Sequence, residues 1–480
     1  MRLSTKIAYN TIVQIASKII ATILGLVAVG IITRYLGAAG YGKYTTIITF
    51  LSFFAILADM GLTLVTVQMI SRDEKNEEKI LGNLLAFRLV TAFLIIGAAP
   101  VAILFFPYSQ DIKTGAAIGF FSFLFIALNQ ILVGFFQKKL RMDKVAIAEI
   151  SGRIVLVGSV FTAFKLDLGL FGIVASTVLG SLVSFIIQYY FSRSFARVKL
   201  LFDFGFWREI IKKSWPLAIT ITLNLIYLKT DILFLSIIPR NSELGINVEV
   251  GLYGAAYKML EVLVALPFMF AGIILPVLST SWHQNDKQKF RRILQKSFDL
   301  MCIFAIPLCF GVQPIAEKII VLVAGKEFVP AGAILQLLMI SIIPVFLGNI
   351  LAHAIIAINQ VKKSINAYAF TAVTSVIGYF IFIPAYNVFG AAWVTIYSET
   401  VIALSFLYLI RKYAGFFPNL KVLLKSIVAS LFMLIFIYFI YNNNLMIIIS
   451  GGAFVYIATL YLLNGITKND VMDLLNKENK

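Results

Sequence analysis

The chain is poor in the residues that most enzyme and metal sites need. Only two histidines, His283 and His353, occur in 480 residues, and neither belongs to a metal-spaced cluster. The two cysteines, Cys302 and Cys309, lie seven apart inside one hydrophobic run, a spacing that reads as helix packing rather than a redox pair. No G-x-x-x-x-G-K-[ST] pattern is present, because Gly325-Lys326 lacks both the upstream glycine and the following hydroxyl; a P-loop motor is excluded. No metal and no cofactor are therefore expected. Charge of either sign is scarce at 13%, with 23 acidic against 41 basic residues and a net charge of +18. The basic residues fall in short runs between apolar stretches rather than on one face, which excludes a nucleic-acid partner and fits membrane topology.

What the chain does have is apolar side chain, 60% of it, with a mean hydropathy of +0.93. These values predict an all-α polytopic membrane protein. Arg2 and Lys6 lead into a long apolar run without a small-residue cleavage pattern, so the first run reads as a retained span, not a signal peptide. Cutting at charged and Pro/Gly-rich breaks gives about 14 transmembrane helices, at 8–35, 43–70, 81–106, 114–137, 145–164, 170–192, 214–238, 251–281, 297–324, 332–358, 365–384, 390–410, 424–441 and 445–464. With the N-terminus inside, inner loops and adjoining helix ends hold 29 Lys or Arg and outer ones seven. That asymmetry predicts a multi-pass protein of the plasma or inner membrane with both termini cytoplasmic.

The Tyr-Gly pairs of Tyr41-Gly42 and Tyr253-Gly254 lie 212 apart, and Phe171-Gly172 and Phe389-Gly390 lie 218 apart. Two near-equal offsets at corresponding spans indicate a duplicated six-helix unit. The expected organisation is an N-terminal lobe over 1–192, a cytoplasmic amphipathic linker over 193–213 and a second lobe over 214–410. Peripheral helices 13 and 14 follow over 411–464, with a cytoplasmic tail over 465–480. The linker mixes Phe202, Phe204 and Trp207 with Arg197, Lys199, Arg208 and Lys212, the pattern of an interfacial helix over anionic lipid. Helices 13 and 14 carry no Asp, Glu, Lys or Arg from Ser426 to Thr467 and are expected against lipid.

Charges inside spans are costly, at least about 2.5 kcal/mol each on insertion scales, and mark protein-facing or wet positions. The basic ones are Lys18, Arg88, Arg153, Lys229 and Lys258, and the acidic ones include Asp59, Asp231, Glu261, Asp299 and Glu399. Lys229 is the strongest candidate, about 20 Å into its span at 1.5 Å per residue. Lys18 and Arg88 sit within two or three turns of inner helix ends, where snorkelling competes with a cavity role. Arg153 follows Glu149 by four and Lys258 precedes Glu261 by three, so neutralisation by a neighbour competes there. Asp59, Asp231, Glu261 and Glu399 read as ion-pair or ion-coupling positions, with no catalytic residue anywhere.

Several short motifs recur in a recognisable order. They are Thr33-Arg34-Tyr35-Leu36-Gly37-Ala-Ala-Gly40-Tyr41-Gly42, Asp59-Met-Gly61-Leu62, Asp231, Gly251-Leu-Tyr253, Pro276, Ala324-Gly325-Lys326-Glu327-Phe328 and Phe389-Gly390. As a series, from about Thr5 to Arg411, they resemble the Wzx-type polysaccharide and O-antigen flippases of the multidrug/oligosaccharidyl-lipid/polysaccharide exporter superfamily. The resemblance implies two six-helix lobes around a central cavity, and transport rather than enzymatic catalysis. The implied substrate is a polyprenyl-pyrophosphate-linked oligosaccharide, moved from the cytoplasmic to the outer leaflet by alternating access for surface polysaccharide synthesis. The implied partners are membrane lipids, a polysaccharide polymerase and chain-length proteins. Other readings stay open at this stage: a multidrug or cation antiporter of the same superfamily, a lipid II flippase, and, against the short outer loops, a membrane-embedded polymerase or ligase.

Overall fold

In the computed structural model, the residues described are 3–59, 62, 66, 69, 77–195, 199–212 and 230–465. Among them the fold is all-α, as expected, with no strand. The helices are α1 (Leu3–Asp59), α2 (Glu77–Ala102), α3 (Gln110–Lys138), α4 (Met142–Lys165), α5 (Gly169–Ser192), the short α6 (Asp231–Ile237), α7 (Ile246–His283), α8 (Lys287–Ala324), α9 (Ala331–Leu338), α10 (Ile342–Ala357), α11 (Val361–Ala414), α12 (Lys421–Phe439) and α13 (Leu445–Leu462). Eleven stretches among the described residues are long and apolar enough to cross a membrane. Two of these, α1 and α11, contain a kink that divides them into two membrane-length arms. The apolar run 213–229, which carries Lys229, lies outside the described residues.

The chain divides into two compact units, Met1–Gly254 with Val323–Glu327, and Ala255–Leu322 with Phe328–Lys480. The division therefore falls within α7 rather than before residue 214, and it assigns α6 to the first unit.

The junction of spans 1 and 2 is a kink and not a loop. Gly37 has φ 64 and ψ −179, the left-handed region that glycine enters without a Cβ penalty. A Cβ there would also stand 3.0 Å from the Glu327 carboxylate oxygens. That carboxylate accepts the Ala38 N–H at 2.7 Å, satisfying a donor that the restarting helix would otherwise leave open. In the reverse direction, Arg34 Nη1 donates to the Val323 carbonyl at 2.6 Å and to Gly30 O at 2.9 Å, which caps the last turn of α8. The two family motifs that meet here are thus a reciprocal pair of helix caps. In the second unit Asn387, at φ 51, makes the matching kink in α11, asparagine being among the few residues with a side chain that tolerate this region.

Close helix crossing in unit 1 depends on absent side chains. A Cβ on Gly42 would lie 1.7 Å from the Asn247 carbonyl oxygen, and one on Gly251 would lie 2.1 Å from that of Ala38. The two Tyr-Gly segments read from the sequence as a repeat are therefore packed against each other, backbone on backbone, as small residues allow in membrane helices. Below this crossing, Tyr253 Oη donates to Asp231 Oδ2 at 2.9 Å. We predict that Gly42→Ala and Gly251→Ala each shorten the folded lifetime of the detergent-solubilised protein, since overpacking costs about 1–3 kcal/mol. Gly272→Ala, whose Cβ meets nothing within 4 Å, should leave it unchanged in the same thermal-inactivation assay.

Candidate functional site

Arg88 is the most thoroughly engaged of the embedded cations. Its side chain is 1% exposed. Its Nη1 donates to Ala58 O at 2.5 Å, its Nε to Ala127 O at 3.2 Å and its Nη2 to Gln130 Oε1 at 2.5 Å. The Asp59 carboxylate stands 3.3 Å from Nη2. The guanidinium therefore fastens the end of α1 and the middle of α3 to α2, and uses its charge inside the unit. Neither an open cavity position nor a snorkelling one describes it. Asp59 is correspondingly committed to this cluster. Removing one partner of a buried pair costs about 3–5 kcal/mol, so Arg88→Gln should lower membrane abundance and thermal stability together, measured by fluorescence size-exclusion chromatography of the solubilised protein.

Lys18 and Arg153 are placed differently. Met142 N donates to Asn10 Oδ1 at 2.7 Å, and the Tyr35 hydroxyl donates to Asp167 Oδ1 at 2.8 Å while accepting the Gly169 N–H at 2.7 Å. These contacts fix the first arm of α1 parallel to α4 with a sequence offset of 132. Lys18 is thereby level with Ile150, within about one turn of both Glu149 and Arg153. Lys18 and Arg153 are exposed and Glu149 is partly so. Among the described residues none of the three forms an ion pair; the i,i+4 neutralisation of Arg153 by Glu149 does not occur. Arg153 stands about 16 Å from the start of α4 and about 18 Å from its end at 1.5 Å per residue. It interacts electrostatically with Tyr44 of the second arm of α1.

The remaining sequence-derived positions are each accounted for. Lys258 and Glu261 form an ion pair of 2.7 Å, with side chains 38% and 42% exposed; solvent access makes such a pair weak. Asp231 is 2% exposed and accepts from the Ile232 N–H as well as from Tyr253, so it orders the start of α6. Glu399 is buried at 9% on the second arm of α11. Lys229 lies outside the described residues. Arg240 was not singled out by its sequence position, yet its buried side chain binds Glu249 at 2.5 Å and the Leu235 carbonyl at 2.5 Å, closing the 239–250 loop onto α6.

Unit 2 contains a cavity of about 1650 Å³ between α7, α8, α12 and α13, lined chiefly by aliphatic side chains such as Leu263, Ile303, Ile315, Ile437 and Ile457. Its charged lining is confined to Lys296 and Asp299. These lie at the end where Gln295 brackets the backbone of Asn419, just before α12, through bonds of 2.8 and 3.0 Å. Asn464, another polar group of the lining, is drawn to this same end by Lys425, which donates to its carbonyl at 2.9 Å. From Lys296 to Ile319 the lining follows α8 for about 35 Å at 1.5 Å per residue. Helices α12 and α13, expected only to face lipid, also form this wall. From Ser426 onward they carry no Asp, Glu, Lys or Arg, and this keeps the wall apolar.

The segment 199–212, helical from 204, belongs to unit 1 and is fastened within it. Asp203 N donates to Asn83 Oδ1 at 2.9 Å, and a Cβ on Gly82 would meet Lys199 O at 2.2 Å. The Phe206 N–H, more than the nearby Lys79 ammonium, holds the Asp203 carboxyl below its ordinary range. Trp207 packs edge-on against Phe87, while Phe202 and Phe204 stay exposed.

Comparison with known proteins agrees with this architecture. The chain is 23% identical over 398 residues to a probable low-salt glycan biosynthesis flippase, Agl15, of Haloferax volcanii, covering 82% of this chain and 81% of that protein. Among solved structures it resembles the lipid II flippase MurJ in an inward closed conformation, with a TM-score of 0.76, 19% identity and coverage of 97% and 100%. It also resembles an inward-facing multidrug resistance transporter of the MOP superfamily, with a TM-score of 0.68, 13% identity and coverage of 84% and 98%. At these identities the structural likeness establishes the fold. The family profile described as polysaccharide biosynthesis protein matches residues 7–282, more than half of the sequence, and the chain belongs to that family.

Proposed function

We propose that this protein is a flippase for a polyprenyl-pyrophosphate-linked oligosaccharide, carrying it from the cytoplasmic to the outer leaflet by alternating access. The observation that carries this reading is the exposed, level pair Lys18 and Arg153, which forms no ion pair among the described residues. A mid-span cation that forms no ion pair with its nearest acid, here Glu149 about one turn away, is stable only against water or an anionic ligand. A pyrophosphate supplies such an anion, and a wet charged wall lowers the barrier to its crossing. The relatives named as flippases support the same direction, as does the apolar cavity of unit 2, which suits a hydrocarbon chain.

The antiporter reading gains less support. It calls for an acid in unit 1 available to a cation, and Asp59 is instead held by Arg88. The relatives named as flippases favour a transporter over an enzyme, and the sequence carries no nucleotide-binding P-loop. Both termini are assigned to the cytoplasm on the distribution of basic residues. Lys229 is retained as a third cation of the path from its depth in the sequence, with Lys258 contributing once Glu261 is displaced. A polysaccharide polymerase and chain-length proteins are the partners such a flippase would supply.

Replacing Arg153 or Lys18 with Gln should abolish surface display of the glycan in intact cells while membrane abundance stays at the wild-type level. Arg153→Lys should keep part of it, because charge is the requirement. Wild-type display from Arg153→Gln would overturn the reading. For the orientation, single cysteines at Lys199 and Ser242, in a background lacking Cys302 and Cys309, should label from opposite sides with an impermeant maleimide. Labelling at 199 from outside intact cells would reverse the assignment.

A further inference from the structure

One corner of unit 1 gathers cations that neither the helix packing nor the proposed transport path uses. Helices α4 and α5 meet backbone to backbone at Gly152 and Gly180, where a Cβ on either would stand 2.7 or 2.9 Å from the other's carbonyl oxygen. This close antiparallel pairing brings the start of α4 beside the end of α5. Lys144 Nζ lies 4.4 Å from the centroid of the Phe191 ring, and the Arg193 guanidinium lies 5.9 Å from that of Tyr189. Residues 138–144 and 189–195 together hold five Lys or Arg and a single acid, Asp143. Arg141 takes that acid through two bonds of 2.9 Å, and Lys144 acts on it only through space. Lys144 and Arg193 form no ion pair among the described residues.

Below the two cations the surface is apolar. On α5, Leu179, Ile186 and Tyr190 are exposed and share one face with Arg193; on α4, Ile147 is exposed one turn from Lys144. From Leu179 to Tyr190 the stripe runs about 16 Å at 1.5 Å per residue. One leaflet of a hydrocarbon core is about 15 Å deep, so the stripe accommodates a phospholipid acyl chain and is too short for a chain that crosses the midplane. Arg153 follows Lys144 by nine residues, which places it on the opposite side of α4. The corner is therefore separate from the Lys18 and Arg153 wall. An aromatic ring occupies one side of each cation and leaves its remaining donors to an anion.

We propose that Lys144 and Arg193 bind the phosphate of an anionic phospholipid, with an acyl chain laid along Leu179, Ile186 and Tyr190. The leaflet is the inner one on the distribution of basic residues. The inference does not depend on the transported substrate. A headgroup held here braces the corner at which Met142 N–H binds Asn10 and sets the register of α1.

The test uses the full-length protein in phosphatidylcholine nanodiscs that carry an acyl-chain diazirine probe, either phosphatidylglycerol or phosphatidylcholine. Peptide mapping should place the phosphatidylglycerol label on α4 and α5. There it should exceed the phosphatidylcholine label by about fivefold for each of the two cations. Lys144→Gln and Arg193→Gln should each remove about one such factor, the double variant should label equally with both lipids, and Lys144→Arg should keep the preference. Lys212→Gln, which removes an exposed cation of the 199–212 segment, should leave it unchanged. In detergent, added phosphatidylglycerol should raise the thermal-inactivation temperature of the wild type and not that of the double variant, the two being equal before lipid is added. Equal labelling of wild type by the two lipids, label mapped away from α4 and α5, or an equal loss on Lys212→Gln would each overturn the proposal. A double variant already less stable than wild type without lipid would also overturn it, since the two cations would then serve the fold alone.

Discussion

Inside a bilayer no water is available to satisfy a polar group, and the kink at Gly37 and the loop after α6 are each resolved by specific partners. The kink at Gly37 opens a backbone donor and the end of α8 opens backbone acceptors; Glu327 takes the first and Arg34 the second. Each cap is also the right sign for the helix end it meets, negative at the restarting N-terminus and positive at the finishing C-terminus. The loop after α6 is treated in the same way, with Arg240 spanning Glu249 and two carbonyls. At both of these places the irregular backbone is closed by a charged side chain.

The same constraint sorts the embedded cations by what they have left to give. Arg88, Arg34 and Arg240 spend their donors on carbonyls and carboxylates of unit 1 and hold helices in place. Lys18, Arg153, Lys144 and Arg193 form no ion pair among the described residues. Guanidinium serves well as a clamp because its planar fork meets several acceptors at once, as Arg88 does with Ala58, Ala127, Gln130 and Asp59. The cations without partners are the ones whose presence folding does not explain. They are accordingly the ones assigned to ligand.

The sequence made the apolar spans and the family motifs legible, because apolar length is a local property; that the junctions at Gly37 and Asn387 are kinks was not. It also placed Arg88, Asp59 and Asp231 inside spans, but did not give their uses. Depth along a helix can be counted from residues, whereas the partner of Arg88 at Ala58 O or of Asp231 at Tyr253 arises only when distant segments meet. Lys144 and Arg193 went unnoticed as a pair for the opposite reason. They lie among the basic residues at inner helix ends, where positive-inside charge is the ordinary explanation, and only the pairing of α4 with α5 brings them to one corner. The groove itself is hidden in the chain because its lining is drawn from five separate helices, α7, α8, α9, α12 and α13, each of ordinary composition.

A carrier lipid joined to a glycan is two substrates in one molecule, a charged and hydrated head and a chain that must never leave hydrocarbon. A single cavity cannot suit both, since wetting it for sugars exposes the chain and drying it strands the phosphate. This chain provides the two environments on separate scaffolds. Unit 1 has exposed cations set into spans by the α1 and α4 register, and unit 2 has a dry groove with charge at one end. The absence of Asp, Glu, Lys and Arg from Ser426 to Thr467 then has a positive meaning. A lysine or glutamate on the lining face of α12 or α13 would put a charge along the hydrocarbon path, at a cost that no neighbour in the groove is placed to offset.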